Sequence, residues 1–265
     1  MNRTSCLVLV VTAVIAGCGA PAPGGGTGGA GGGAGSGGNT CPRSSVNGSQ
    51  VVFVGDSFLA APTSNIAPEL ERLWQAAGSA GYSPTPRYHQ FVATNMAQIA
   101  GQYDAARAAN PDIKVVIANG GGNDVLILDR SCLTQAPPGN AGCTTTINNS
   151  LATAGRMLTK MVSDGVQNVV FFFYPHEPTS GIFQGNAPAI NATLDYAEPL
   201  ARQVCERHPI CTFVSLREAT GDAPGSGYTE RGLINPLDVH PSAKGSQFFA
   251  QAIWNAMKSR CILSP

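Results

Sequence analysis

The sequence predicts a single α/β/α domain of three layers, built around a mainly parallel sheet of five strands. Short apolar runs, which are typical of strands buried on both faces, alternate with longer segments whose apolar residues recur at helical spacing. This alternation indicates βαβ units, in which helices cover both faces of a parallel sheet. Once the ends of the 265-residue chain are set aside, about 220 residues remain, which suits one large domain.

Five segments are predicted to form the strands. Each is a short apolar or aromatic run that ends near glycine, proline or a polar residue. They cover residues 51–54, 88–93, 113–118, 169–174 and 212–214.

The predicted helices lie between and after these strands. They cover residues 64–77, 97–109, 147–162 and 193–207, followed by a C-terminal helix lined by Phe249, Ala252, Ile253, Ala256 and Met257. Ser64 is a candidate N-cap, and Gly165 stands where a helix commonly ends in the left-handed region. Pro241 lies near the start of the last helix, where a missing N–H has little cost.

The first forty residues are predicted to lie outside the folded domain. Residues 1–17 are typical of an export signal, because their apolar segment is too short to span a bilayer. The segment that ends at Cys18 resembles a bacterial lipobox, which implies cleavage before this cysteine and its lipidation; an ordinary signal peptide is the alternative. Residues 18–40 are predicted to be a flexible glycine-rich tether. We therefore expect a domain of residues 41–265, exported to the bacterial cell envelope and held at a membrane by its lipid alone.

The charge composition argues against a nucleic-acid partner. Formal net charge is zero, only 12% of the residues are charged, and no block of lysine and arginine is present. We expect a monomer that acts on a small molecule or on a glycan or lipid ester.

Six cysteines fall within the predicted domain. They are Cys41, Cys132, Cys143, Cys205, Cys211 and Cys261. An even number in an exported protein indicates disulfides. Short spacing favours pairing of the second with the third and of the fourth with the fifth, which leaves the first and the last to join the two ends. The sequence alone permits other pairings. A zinc or redox protein is the competing interpretation, although no Cys-x-x-Cys pair is present.

Polar motifs follow three of the predicted strands: Gly55-Asp56-Ser57, Gly120 to Asp124, and Pro175-His176-Glu177. Because the carboxyl ends of parallel strands meet at one edge of a sheet, we expect these motifs to share that edge. Ser57 would occupy a sharp turn before a helix and is a candidate nucleophile. A serine that merely completes the turn is the alternative.

Two other residue types complete a possible hydrolytic site. Asn123, after a run of glycines, could donate its side-chain amide to an oxyanion, or it could simply stabilise a turn. His240 precedes the last helix and could act as general base, with Asp238 holding its tautomer. A structural role is the alternative for a single histidine.

Taken together, GDSF at 55–58, GGND at 121–124 and VHPS at 239–242 resemble the GDSL/SGNH hydrolase superfamily, over about residues 50–260. The resemblance implies a flavodoxin-like fold. It also implies that Ser57 is the nucleophile and donates its own N–H to the oxyanion, that Asn123 donates its side chain, and that His240 is the base.

The chain departs from the family pattern at two positions. The family has its acid three residues before the histidine, where this sequence has Leu237, and Asp238 stands one residue nearer to His240. Asp238 could still reach the imidazole, Asp222 could replace it, or serine and histidine could act as a dyad. The family's second oxyanion glycine aligns with Asn95, whose backbone N–H we expect to complete the oxyanion hole if it adopts a left-handed conformation.

Asp56 and His176 are predicted as possible substrate contacts. His176 follows a strand and is expected near the mouth of the pocket, with a structural role as the alternative.

The predicted activity is that of a serine esterase that forms an acyl-enzyme and needs no metal or organic cofactor. Acetylated glycans, short-chain esters and lysophospholipids are candidate substrates. The alternative is a surface lipoprotein of the same fold that has lost activity and binds an envelope glycan or another ligand.

Overall fold

The computed structural model describes Cys41, residues 45–60, 66–78 and 94–179, Ile182, and residues 185–262. Residues 41–265 form one unit of the chain. The predicted export signal, lipidation site and tether lie outside the described residues, and they stay predictions.

Four parallel strands form the described part of the sheet. They are β1 (Val51–Val54), β2 (Val115–Ala118), β3 (Asn168–Phe173) and β4 (Cys211–Ser215), adjacent in chain order. Val54 pairs with Ala118, and Ala118 pairs with Phe171, so the strands end at one edge. The three-layer fold class is confirmed, while the strand predicted over 88–93 lies outside the described residues.

Helices cover both faces of this sheet. They are α1 (Ser57–Ala60), α2 (Ile66–Ala76), α3 (Met96–Ala109), α4 (Ala141–Ser163), α5 (Ala187–Glu206), α6 (Leu216–Thr220) and α7 (Ala243–Ser259). Helix α2 packs against α7, whereas α3, α4 and α5 pack one after another. Strands β1, β2 and β3 are almost entirely buried between these helices, as expected for a parallel sheet.

Helix α4 begins at Ala141, six residues before the predicted start. The side chain of Asn140 caps it by accepting a hydrogen bond from the N–H of Cys143 at 3.1 Å. The hydroxyls of Thr144 and Thr145 donate to carbonyls one turn earlier. This first turn and a half is rich in threonine, so hydrophobic periodicity could not reveal it. Helix α5 also begins earlier than predicted, at Ala187, with a proline in its first turn.

Three disulfides join the cysteine pairs that the spacing favoured. Cys132 bonds to Cys143 and Cys205 to Cys211, each closing a short loop. Cys41 bonds to Cys261 with their Cα atoms 5.3 Å apart, so the start of the unit is tied to the end of α7. Among the described residues, no helix is both long enough and apolar enough to cross a bilayer.

Candidate active site

Ser57 begins α1, directly after the turn that ends β1. Gln102 of α3 holds this turn from both sides: its side chain accepts from the Gly55 N–H at 2.8 Å and donates to the Gly55 carbonyl at 2.9 Å. A Cβ atom at Gly55 would lie 2.0 Å from Asn119 Oδ1, so only glycine fits without displacing a neighbour. These contacts fix the turn between β1 and Ser57. The serine itself is partly buried.

Asp56 is the centre of a buried hydrogen-bond network below Ser57. Asn119 donates to Asp56 Oδ1 at 2.7 Å, and the Tyr174 hydroxyl donates to Oδ2. The same hydroxyl accepts from the N–H of Gly122 at 3.1 Å. The network therefore ties together the loops that follow β1, β2 and β3.

Burial dominates the electrostatics of this network. It raises the pKa of Asp56, while hydrogen bonds from Tyr174 and Asn119 act in the opposite direction. Protonation of His240 would also lower the pKa of Asp56, so the imidazole lies close enough to this network to affect it electrostatically. Burial and the nearby Asp56 carboxylate raise the pKa of Tyr174, which keeps its hydroxyl protonated as a donor.

Asn123 and Asp124 connect the glycine-rich loop after β2 to the start of α3. The side-chain amide of Asn123 donates to the Thr94 carbonyl at 3.1 Å. Asp124 accepts from the Met96 N–H at 2.9 Å, and burial raises its pKa. An asparagine amide has two donors, and the bond to Thr94 uses one of them. The Asn123 side chain is thus held in place with a second N–H able to stabilise negative charge.

His240 and Asp238 form a hydrogen-bonded pair. The Nδ1 atom of His240 lies 2.6 Å from Asp238 Oδ1. Since a carboxylate only accepts hydrogen bonds, Nδ1 carries a proton, and in the neutral ring Nε2 is then an acceptor. Nε2 is buried and has no hydrogen-bond partner within the described part of the chain. A neutral imidazole in this state can accept a proton at Nε2.

The shift of the acid by one residue is accommodated by the loop before α7. Leu237, at the position where the family has its acid, points outward and is 80% exposed. The Asn235 N–H donates to the His240 carbonyl at 3.0 Å, and Ile234 pairs with Pro241 across the loop. This tight turn brings Asp238 onto Nδ1 of the imidazole.

Asp222, the alternative acid, is hydrogen-bonded to other residues. It accepts from Arg231 at 3.2 Å and from the hydroxyl of Thr220 at 3.1 Å. The structure therefore pairs the histidine with Asp238 rather than with Asp222.

The prediction for Asn95 is wrong. Its φ of −87° is not left-handed, and it is the N-cap of α3. Its N–H donates to Gln98 Oε1 at 2.9 Å, and its side chain accepts from the Gln98 N–H at 3.0 Å. This reciprocal capping occupies the backbone donor that was expected in the oxyanion hole.

The structure also contradicts both predicted substrate contacts. His176 is completely buried, and its Nε2 lies 2.8 Å from Asp195 Oδ1. Asp195 in turn lies 3.4 Å from Arg217, so the histidine belongs to a buried charged cluster. Asp56 is buried with both carboxylate oxygens hydrogen-bonded. The two residues support the loops instead of facing a ligand.

Glu177, the last residue of the third sequence motif, is a buried carboxyl to which the motif assigned no role. Its backbone is clamped by Asn191, which accepts from the Glu177 N–H at 2.7 Å and donates to its carbonyl at 2.9 Å. Burial, with a smaller effect from the negative charge of Asp238, raises the pKa of Glu177 to about 8. The carboxyl is therefore neutral at pH 7 and lies within electrostatic range of the His240–Asp238 pair.

Three supporting residues were also missed. Gln102 lies within a helix where nothing in the sequence distinguishes it, and Tyr174 looks like the end of an aromatic strand. Asn119 directly precedes the glycine run, and this was the only available signal of its role. Each is revealed by its contacts with the loops that carry Ser57 and Asn123.

Comparison with known proteins gives structural matches only. No family model and no curated protein matches the sequence. Among solved structures, the chain is similar to an acetyl xylan esterase, AlAXEase, with a TM-score of 0.53 and 17% identity over 78% of this chain and 98% of that one.

Two other solved structures are similar to the same extent. A GDSL-like lipase from Bacteroides thetaiotaomicron matches with a TM-score of 0.52 and 12% identity, over 80% of this chain and 89% of that one. The psychrotrophic esterase EstA from Pseudoalteromonas sp. matches with a TM-score of 0.51 and 12% identity, over 79% and 97%. The predicted resemblance to GDSL/SGNH hydrolases is thus confirmed at the level of the fold.

Proposed function

We propose that this protein is a serine-dependent hydrolase of carboxylic esters. The observation that carries the proposal is the His240–Asp238 pair, with Nδ1 bonded to the carboxylate and Nε2 buried and unpartnered among the described residues. Two features support it: the position of Ser57 next to the Asp56 network, and a fold shared with proteins described as esterases and lipases.

In the proposed reaction, the Ser57 hydroxyl attacks the ester carbonyl while His240 Nε2 takes its proton. Asp238 stabilises the imidazolium that forms. The imidazolium then gives the proton to the departing alcohol, which leaves an acyl-enzyme on Ser57. Water, deprotonated by the same imidazole, attacks the acyl group, releases the acid and restores the serine.

The negative charge on the tetrahedral oxygen needs donors fixed in advance. We assign this role to the N–H of Ser57 and to the second amide N–H of Asn123, which the bond to Thr94 orients. One such donor contributes about 3 kcal/mol to lowering the barrier. With the Asn95 N–H occupied by Gln98, the oxyanion hole assigned here has two donors.

Turnover of p-nitrophenyl acetate by the purified protein tests the proposal. Ser57→Ala should lower kcat by about 10³-fold or more. The matched control is Ser163→Ala, at an exposed serine at the end of α4, which should keep wild-type turnover. A fluorophosphonate should label the wild type and the control but not Ser57→Ala.

Equal background turnover by the wild type and Ser57→Ala, with no labelling of either, would overturn the proposal. The protein would then be a binding module of the same fold, the interpretation that the occupied Asn95 N–H favours.

We also propose that the protein is exported and lipid-anchored through Cys18. The three disulfides support this location, because such bonds persist in oxidising compartments. We expect the wild type to incorporate a labelled fatty acid and Cys18→Ser to incorporate none. We also expect the variant to be released from membranes. Equal labelling of both proteins would contradict the lipidation site.

A further inference from the structure

A long loop, residues 221–242, joins α6 to α7 and carries both members of the His240–Asp238 pair. The structure describes every residue of this loop, and within it there is no helix and only one isolated bridge. Gly225, near its middle, has a φ of +77°, and glycine loses more conformational freedom on folding than any other residue. Contacts with the rest of the domain therefore determine where the loop, and with it the imidazole, lies.

A buried cluster of charged side chains lies where this loop begins. Arg217 of α6 is buried and donates two hydrogen bonds to Glu198 of α5, from Nε at 2.9 Å and from Nη2 at 3.0 Å. Its Nε also lies 3.4 Å from Asp195 Oδ1, the oxygen that His176 contacts. Two carboxylates thus surround one guanidinium that has been removed from water, so α5 holds Arg217 in a single position.

The cluster binds the loop at two points of its backbone. Arg217 Nη1 donates to the Asp222 carbonyl at 2.8 Å. The second carboxylate oxygen of Asp195 accepts from the Gly225 N–H at 2.7 Å. Because both contacts are with main-chain atoms, they fix the path of the loop itself.

Asp222 connects this anchored end to the segment just before the histidine. Its carboxylate is buried and lies 3.2 Å from Arg231 Nη1. The Arg231 carbonyl in turn accepts from the Nζ atom of Lys244, in the first turn of α7, at 2.9 Å. The contacts therefore run from the cluster, through Asp222 and Arg231, to the helix that follows His240.

The segment between this arginine and the histidine packs tightly against the same end of α7. The Ser242 N–H donates to the Leu233 carbonyl at 2.9 Å, and the Asn235 N–H donates to the His240 carbonyl at 3.0 Å. A Cβ atom at Gly245 would lie 1.8 Å from the Leu233 carbonyl oxygen, so only glycine permits this approach. A displacement of the segment would therefore move the imidazole as well.

We propose that Arg217 is a positioning residue for the general base: it links the buried carboxylates of α5 to the loop and so sets the place of His240 relative to Ser57. The proposal rests on the proposed ester hydrolysis and names a further residue on which that reaction depends. Arg217 acts through the loop and does not touch the reacting atoms. Since a misplacement of about 1 Å can cost about 10²-fold in rate, a residue remote from the chemistry can control kcat.

The chemistry of arginine suits this role. A buried ion pair is often no more stabilising than apolar residues of the same volume, so stability alone does not account for the cluster. A guanidinium holds its N–H donors in one rigid plane, and in Arg217 all three nitrogens are used, two toward Glu198 and one toward the Asp222 carbonyl. Lysine cannot reproduce this fork, so Arg217→Lys should restore only part of the function.

Hydrolysis of p-nitrophenyl acetate by Arg217→Met and Arg231→Met tests the proposal. Arg231→Met breaks the same chain of contacts at a partly exposed residue, so it decides the question if Arg217→Met does not fold. The matched control is Arg202→Met. Arg202 binds the same Glu198 at 3.4 Å, but within the described part of the chain it forms no hydrogen bond or ion pair with the loop.

We expect Arg217→Met to lower kcat by about 10- to 100-fold with little change in KM, Arg231→Met to act in the same direction, and Arg202→Met to keep kcat near wild type. In a His240→Ala background, Arg217→Met should leave the residual rate unchanged, because the base that it positions is already absent. A general weakening of the site would lower that residual rate further.

Hydrogen exchange provides a readout that does not depend on activity. The amide hydrogens of Asn235 and Ser242 should exchange faster in Arg217→Met and Arg231→Met, while those of β1, β2 and β3 keep their wild-type protection. Arg202→Met should show wild-type exchange in the loop.

Three results would overturn the proposal: a wild-type kcat in the folded variants, an equal loss of rate by Arg217→Met with and without His240, or unchanged exchange of the loop. Failure of the proposed function has a different signature. If the wild type hydrolyses no ester, faster exchange of the loop in Arg217→Met but not in Arg202→Met would retain the link between Arg217 and His240 and contradict only the hydrolase proposal.

Discussion

The buried Glu177 is expected to make the stability of this protein depend on pH, and one substitution should remove the part of that dependence that Glu177 causes. Its carboxyl is buried at the end of β3, and burial raises its pKa from 4.5 to about 8. Between these two values the folded protein holds a proton that the unfolded chain has released. The contribution of the protonated Glu177 carboxyl to the free energy of unfolding is therefore fully present below pH 4.5, and it is lost as pH rises towards 8.

The expected size of this effect follows from the two pKa values. Each pKa unit corresponds to about 1.4 kcal/mol. The difference between 4.5 and about 8 then lowers the free energy of unfolding by about 5 kcal/mol between pH 4 and pH 9. Glutamine has nearly the same shape and does not ionise, so Glu177→Gln should lack this decline and should be the more stable protein above pH 8.

Urea denaturation at several pH values between 5 and 9, with the disulfides intact, measures this difference. Other buried carboxyls such as Asp56 and Asp124 are present in both proteins, so their contributions cancel in the comparison. Glu206→Gln, at an exposed position near the end of α5, is the matched control and should follow the wild type. If the difference in unfolding free energy between the wild type and Glu177→Gln stays constant from pH 5 to pH 9, the reasoning is refuted.

Three further results are expected. Asp238→Asn should lower kcat by about 10²- to 10⁴-fold with little change in KM, because it disturbs the tautomer that leaves Nε2 free; an unchanged kcat for p-nitrophenyl acetate would favour a dyad. Gln102→Leu should lose two hydrogen bonds to Gly55 and about 1–3 kcal/mol of stability in urea, together with most esterase activity; full activity would show that the clamp does not position Ser57. Removing the Cys41–Cys261 bond by a double serine substitution should lower the unfolding free energy by about 5 kcal/mol, since the bond closes a loop with a sequence separation of 220; an unchanged urea midpoint would contradict this.

The sheet and its site-bearing edge could be predicted because their signals are local. A buried parallel strand needs an apolar run, and Val51–Val54 is buried at all four positions. The motifs around Ser57 and Asn123 follow such runs directly, so the topology alone brings them to one edge. His240 was recognisable from its place before the last helix, together with Asp238.

Tertiary contacts decided the features that could not be predicted. The spacing of Asp238 from His240 suggested a misplaced carboxylate, and only the turn closed by Ile234 and Pro241 shows how it reaches the ring. The sequence allowed the Asn95 N–H to bind either an oxyanion or a group of its own helix. In the structure it forms a capping box with Gln98, at the third helical position of α3. His176 follows a strand, as a site residue should, but it is completely buried and hydrogen-bonded to Asp195 of α5.

The bond between Cys41 and Cys261 has a consequence for the chain before it folds. Ser57 and His240 come from opposite ends of the polypeptide, yet each is only a short distance in sequence from one of the two bonded sulfurs. In an oxidised but denatured chain, the hydroxyl and the imidazole are therefore connected by a brief covalent route instead of the long one through α4 and α5. Oxidation thus confines the two proposed reacting groups to each other's neighbourhood, whereas in a reduced chain they must find each other across almost the whole molecule.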